Sequence, residues 1–172
     1  MNNAAELLRL IHNLIRLGTI AEVDHAAARV RVKAGGLLTG WLPWIESRAG
    51  TSRTWNPPTV GEQVVVISPG GDLSAGFVML ALYQQAHPAP SSNPNVIGRW
   101  LPDGTHIEYD HEANRLLIDC VGPIEVKATG EVTVEAPSIR HNGGDPVVTT
   151  GHICHFTGNP HGDGSSTVTA GK

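Results

Sequence analysis

Apolar residues near the start of the chain recur at helical spacing. Leu7, Leu8, Leu10, Ile11, Leu14, Ile15 and Leu17 fall on one face at steps of three and four. The pattern predicts an amphipathic helix over 1–18, with Gly18 as its stop. Leu7, Leu10, Leu14 and Leu17 also fit a heptad seam of about a heptad and a half, too short to define a coiled coil. Such a helix either packs on its own domain or meets helices of other copies.

From residue 19 the period changes to two. Residues 19–24 and 28–33 read as strands flanking a turn, and Val30 and Val32 alternate with basic residues as in a half-buried strand. Gly35 and Gly36 break the pattern, and 38–44 is a third strand. Residues 63–68 form a buried strand, 69–72 a turn, and 76–83 a fifth strand. Five strands over 19–84 fit a small closed barrel of the oligonucleotide/oligosaccharide-binding (OB) type, which removes exposed sheet edges. Trp41, Trp44 and Trp55 are core or subunit-interface residues on this reading. With no basic groove in view, a base- or sugar-stacking platform is the weaker alternative.

Residues 85–98 carry three prolines and read as an extended linker. Residues 99–101 and 105–110 are strands around the turn 102–104, and 111–114 is a further turn. A longer alternation begins at Leu116. The even positions are Leu116, Ile118, Cys120, Gly122, Ile124, Val126, Ala128, Gly130, Val132, Val134 and Ala136. The odd positions carry Asp119, Glu125, Lys127, Thr129, Glu131, Thr133 and Glu135. Two-residue periodicity over 116–136 far exceeds a strand of about 5–6 residues. A lone ribbon of this kind would expose its apolar face and its backbone groups. Identical ribbons wound about one axis would cover both, and the small inward residues suit a narrow axis. The pattern over 99–137 therefore predicts an intertwined β-helix or β-prism of three chains. Ordinary strands broken at Gly122-Pro123 and Gly130 are the alternative.

Composition narrows the classes. The chain has 172 residues, 40% apolar, 5% aromatic and 16% charged, with 20 Gly and 12 Pro. The Gly and Pro content favours strands and turns over a helical bundle. A net charge of −4 argues against a nucleic-acid surface. No apolar run is long enough to cross a bilayer. Two cysteines, with no secretory pattern before them, define no disulfide framework. Cys120, among the inward positions, reads as a small apolar filler.

The segment 138–172 contains seven of the glycines and four of the nine histidines, and few large apolar side chains. It has no core of its own, so something else must order it. His152, Cys154, His155 and His161 are candidate metal ligands, since imidazole and thiolate are the usual donors to zinc and iron. Metal binding would supply the folding free energy that the segment lacks. Two ligands from each of three chains would make an octahedral site favouring iron on the trimer axis. Three His and Cys154 of one chain would favour zinc. Asp145 and Asp163 could serve as bases in a metal hydrolase, yet no cleft-forming scaffold surrounds the tail. Nucleophile-elbow, phosphate-loop and dinucleotide motifs are absent. No enzymatic activity is expected.

Several segments in order resemble the phage baseplate assembly protein V family, the central spikes of contractile tails and related bacteriocin particles. They are the N-terminal helix, Trp41-Leu42-Pro43-Trp44 to Arg48-Ala49-Gly50, and Ser52-Arg53-Thr54-Trp55. Pro58-Thr59-Val60-Gly61-Glu62-Gln63-Val64 and Pro102-Asp103-Gly104-Thr105-His106-Ile107-Glu108-Tyr109-Asp110 follow. The resemblance implies a homotrimer with a barrel, a triple-stranded β-helix and a pointed tip. In the family that tip holds iron through a His-x-His pair from each chain, whereas this chain has His152-Ile153-Cys154-His155. The run from Thr149 to Val168 is also similar to PAAR-repeat tip proteins, which bind zinc. The implied role is a membrane-piercing spike, acting mechanically on a host outer membrane. Its implied partners are a baseplate hub and tail-tube proteins, with no nucleic acid. Its implied place is the virion tail baseplate or an extracellular bacteriocin particle, after synthesis in the bacterial cytoplasm. A receptor-binding tail protein recognising surface glycan is the alternative. A metal-dependent cell-wall hydrolase is a third class.

Overall fold

The computed structural model describes residues 3–139 and 153–159. The chain divides into two compact units, Met1–Val121 and Gly122–Lys172. The first unit contains one helix, α1 (Asn3–Leu14), and eight strands. These are β1 (Ile15–Asp24), β2 (Arg29–Ala34), β3 (Leu37–Leu38), β4 (Gln63–Ile67), β5 (Phe77–Leu82), β6 (Val96–Trp100), β7 (His106–Asp110) and β8 (Arg115–Asp119).

The first five strands form one antiparallel sheet in the order β3-β2-β1-β4-β5. Its ends are joined by the segment after β3. Leu42 bridges back to Val30, and Trp44 makes a parallel bridge to Val78. The Val78 N–H donates to the Pro43 carbonyl and the Ile45 N–H to the Val78 carbonyl, both at 2.9 Å. This contact closes the barrel. Irregular register in β1 near Ala21 and in β5 near Ala81 supplies the local bends that a small closed sheet needs. The core is Ile20, Val30, Val32, Leu42, Val64, Val66 and Val78, all buried. β-Branched residues dominate it, as pleated surfaces prefer.

The sequence pattern misplaces the end of the helix. α1 stops at Leu14, and Ile15 to Gly18 already pair with β4. Gly18 is therefore no helix stop. It lies where β1 and β2 approach closely, since a Cβ there would sit 2.5 Å from Val32 Cγ1 and 2.7 Å from the Lys33 carbonyl oxygen. The helix lies against the short 3-10 turn Pro69–Gly71. Gly71 has φ +76°, and a Cβ there would collide with the Leu10 backbone. Only part of the helix's apolar surface is used, because Leu7, Leu8 and Ile11 stay exposed.

Two further boundaries differ from the sequence pattern. Within 38–44 only Leu38 belongs to a paired strand; Leu42 and Trp44 make isolated bridges. The linker expected over 85–98 ends earlier, because Val96, Ile97 and Gly98 are already in β6. β6, β7 and β8 form a second antiparallel sheet. Asp110 turns the chain between β7 and β8 by accepting the Glu112 and Ala113 N–H groups at 2.9 and 3.0 Å. Asn114 holds φ +52° there, a conformation its short polar side chain tolerates.

Candidate functional site

The β6–β8 sheet has two unlike faces. On one, Trp100 stacks on His106 with an interplanar angle of 4°, and Arg115 pairs with Glu108 at 3.5 Å. On the other, cross-strand register aligns Ile97, Tyr109 and Leu116 in one row and Arg99, Ile107 and Ile118 in the next. Ile97 is 72% exposed, Leu116 63% and Ile118 52%. Ile107 and Tyr109 are exposed as well. Five large apolar side chains thus share one open sheet face. Covering each is worth on the order of 1.5–3 kcal/mol.

The long alternation predicts Leu116 and Ile118 on one face, but it does not place Ile97, Ile107 and Tyr109 on the same surface. The available signal was their own two-residue spacing: Ile107-x-Tyr109, and Ile97 two before Arg99. Placing Ile97 in a linker over 85–98 hides its part of that signal.

A hydrogen-bonded corner fixes the chain at the end of this sheet. The Asp103 carboxylate accepts the Thr105 N–H and hydroxyl at 2.9 and 3.0 Å. The Thr105 oxygen in turn accepts the Val121 N–H at 3.2 Å. Thr105 is buried, and Val121 is the last residue of the first unit. The corner therefore holds the main chain of the first unit just after β8.

In the second unit, residues 122–139 make no strand pairing among the described residues. Ile124, Val126, Val132 and Val134 are all exposed. At the odd positions, Lys127 and Glu125 form an ion pair of 2.7 Å, which places these two polar neighbours on one side. With both partners largely in solvent, that pair contributes little stability.

Two of the four candidate ligands are described. Cys154 and His155 lie in a turn closed by two 2.8 Å hydrogen bonds, from the Cys154 N–H to the Asn159 carbonyl and from the Gly158 N–H to the Cys154 carbonyl. The His155 ring meets the Phe156 ring edge-on at 5.7 Å. His152 and His161 lie outside the described residues, as do Asp145, Asp163 and most of the run similar to PAAR tips. Among the described residues no three His, Cys, Asp or Glu side chains converge on a common point. The donor chemistry of Cys154 and His155 fits a transition metal.

The barrel carries an ordered loop at 45–56. Glu46 holds it together, accepting from Trp44 Nε1 at 3.1 Å, Thr54 Oγ1 at 2.8 Å and the Asn56 N–H at 2.7 Å. Burial pushes the Glu46 carboxyl up, but hydrogen bonds from Thr54, Asn56, Trp44 and Ser47 outweigh it and leave its pKa below the usual value. Trp44 packs against the core and meets Trp55 at 5.6 Å between ring centroids. Trp41 is exposed beneath the Arg31 guanidinium, 5.9 Å from its ring centroid.

Residues 16–83 match the type VI secretion system/phage-baseplate injector OB domain. The injector OB match covers the closed barrel, from β1 to the end of β5. The chain is also 42% identical over 137 residues to the spike protein of Escherichia phage P2. That match covers 80% of this chain and 65% of the phage protein, so the chain spans just under two thirds of its relative's length.

Proposed function

We propose that this chain is the central spike of a contractile phage tail or phage-like bacteriocin. It acts mechanically, as a homotrimer driven through the outer membrane of a Gram-negative host when the sheath contracts. One observation carries this reading: the large apolar residues at the even positions of 116–136 are exposed, with nothing covering them among the described residues. Three such ribbons wound about an axis bury the even positions and satisfy each other's backbone groups. A needle hydrogen-bonded throughout resists bending. The injector OB domain would join it to the baseplate hub and tail tube. The 42% identity to a phage spike protein supports the same role. This reading places the chain at the virion tail baseplate or in a secreted bacteriocin particle.

At the tip, His152, Cys154, His155 and His161 would hold the metal. When bound, the ion cross-links a segment that has no apolar core. Iron shared by three chains is the primary assignment, with zinc held within one chain as the alternative. Elemental analysis separates them: one iron per three chains indicates an axial site, and one zinc per chain a PAAR-like tip. Finding neither metal would overturn the tip assignment.

The spike role is tested by immunogold labelling of particles with antibody to the barrel. Label at the distal end of the tail supports it. Label on lateral fibres favours the glycan-receptor alternative, and unlabelled particles contradict both.

A further inference from the structure

Every arginine among the described residues has a side-chain partner, with three exceptions. Arg9 pairs with Glu6, Arg31 with Glu22 and Arg115 with Glu108. Arg16 bonds to Asn13 and Arg99 to Asn56. Arg29, Arg48 and Arg53 have no side-chain partner among the described residues, and all three line one cleft of about 330 Å³. Trp44 and Trp55 line the same cleft. Its single carboxylate, Glu46, is already engaged by Trp44, Thr54 and Asn56. Three unneutralised guanidinium groups thus surround an apolar surface on a chain whose net charge is −4.

We propose that this cleft binds a carboxylate-bearing peptide segment of a partner protein. The guanidinium groups of Arg29, Arg48 and Arg53 would take its acidic side chains, and the two indoles its apolar ones. Arginine suits carboxylates because its planar fork donates two parallel hydrogen bonds. Indole faces cover aliphatic side chains, and tryptophan with arginine is the pairing enriched at binding hot spots. An extended polyanion such as nucleic acid would be opposed by the chain's net charge of −4, whereas a short acidic segment needs only local complementarity. The inference does not depend on the spike reading.

The probe is a short capped peptide alternating glutamate and leucine, followed through indole fluorescence of the full-length protein. Its glutamine counterpart and oligothymidylate serve as competitors. Binding of the glutamate peptide should weaken as salt shortens the screening length from about 30 Å at 0.01 M to about 8 Å at 0.15 M. The double variant Arg48→Gln/Arg53→Gln should lose at least about tenfold in affinity, the effect of one charge-assisted hydrogen bond. It should keep the wild-type melting temperature, since neither side chain has a bond to lose within the described fold. Lys33→Gln, which removes a charge that does not line the cleft, should bind as wild type. No binding, equal binding of the glutamine peptide, or an unaffected double variant would each overturn the proposal. Tighter binding of oligothymidylate would also overturn it and assign the cleft to nucleic acid.

Discussion

The two sheets of the first unit solve the same problem differently. β1–β5 bend round until the segment after β3 meets Val78, so their inner face is covered by the chain itself. β6–β8 stay open, and Ile97, Ile107, Tyr109, Leu116 and Ile118 are exposed, with nothing over them among the described residues. Both sheets have apolar residues at alternate positions. What separates them is closure: the barrel has its two bulges and a segment after β3 that bridges to both ends of the sheet, and the three-stranded sheet has neither. A stretch with sound β pattern and no internal cover points to a core formed between chains.

The largest expected effect comes from putting a charge on the open face. Ile118→Glu should abolish assembly, because burying an unpaired carboxylate costs several kcal/mol. The barrel should stay folded. Sedimentation equilibrium beside near-UV circular dichroism reads both; a variant that still assembles would remove this face from the interface. The complementary change is Leu42→Ala, which opens a cavity in the barrel core. It should cost about 2–5 kcal/mol, measured by denaturant unfolding. If it cost nothing, the barrel would not be the self-sufficient part.

Gly18→Ala should destabilise the barrel by about 1–3 kcal/mol, because the new methyl meets Val32 and the Lys33 carbonyl. Thr105→Ala should cost about 0.5–1.5 kcal/mol and speed hydrogen exchange at the Val121 amide, which loses its acceptor. The smallest effect concerns pH. Glu46 titrates below its unfolded value, so its contribution is present above the usual glutamate range. It is lost as pH falls through the depressed folded value. Tryptophan fluorescence should therefore change on acidification, as the acceptor of the Trp44 indole N–H is neutralised, and Glu46→Gln should flatten that change.

Much of the barrel could be read from residues alone. Val64 to Val66 announce a buried strand, and Val30 and Val32 a half-buried one. The helix end could not, because Leu14, Ile15 and Leu17 suit a helical face as well as a strand. Gly18 looks like a helix stop, while its real constraint is the close approach of β2. The open face was half legible: the alternation showed Leu116 and Ile118, but only antiparallel register brings Ile97, Ile107 and Tyr109 beside them. The three arginines of the cleft were invisible for a similar reason. Arg29 begins β2, whereas Arg48 and Arg53 lie in the 45–56 loop, so only the barrel's closure gathers them. In the segment 138–172, Cys154 and His155 are metal-ligand candidates by residue chemistry alone, and the fold adds only the turn that holds their backbone.

On the proposed function, residues 122–136 are ordered by other copies of this chain. Amide hydrogen exchange on the full-length protein, resolved over that segment, addresses it directly. Interchain ladders predict strong protection there, comparable with β4 of the barrel. Exchange at the rates of a free chain, while β4 stays protected, would contradict the claim.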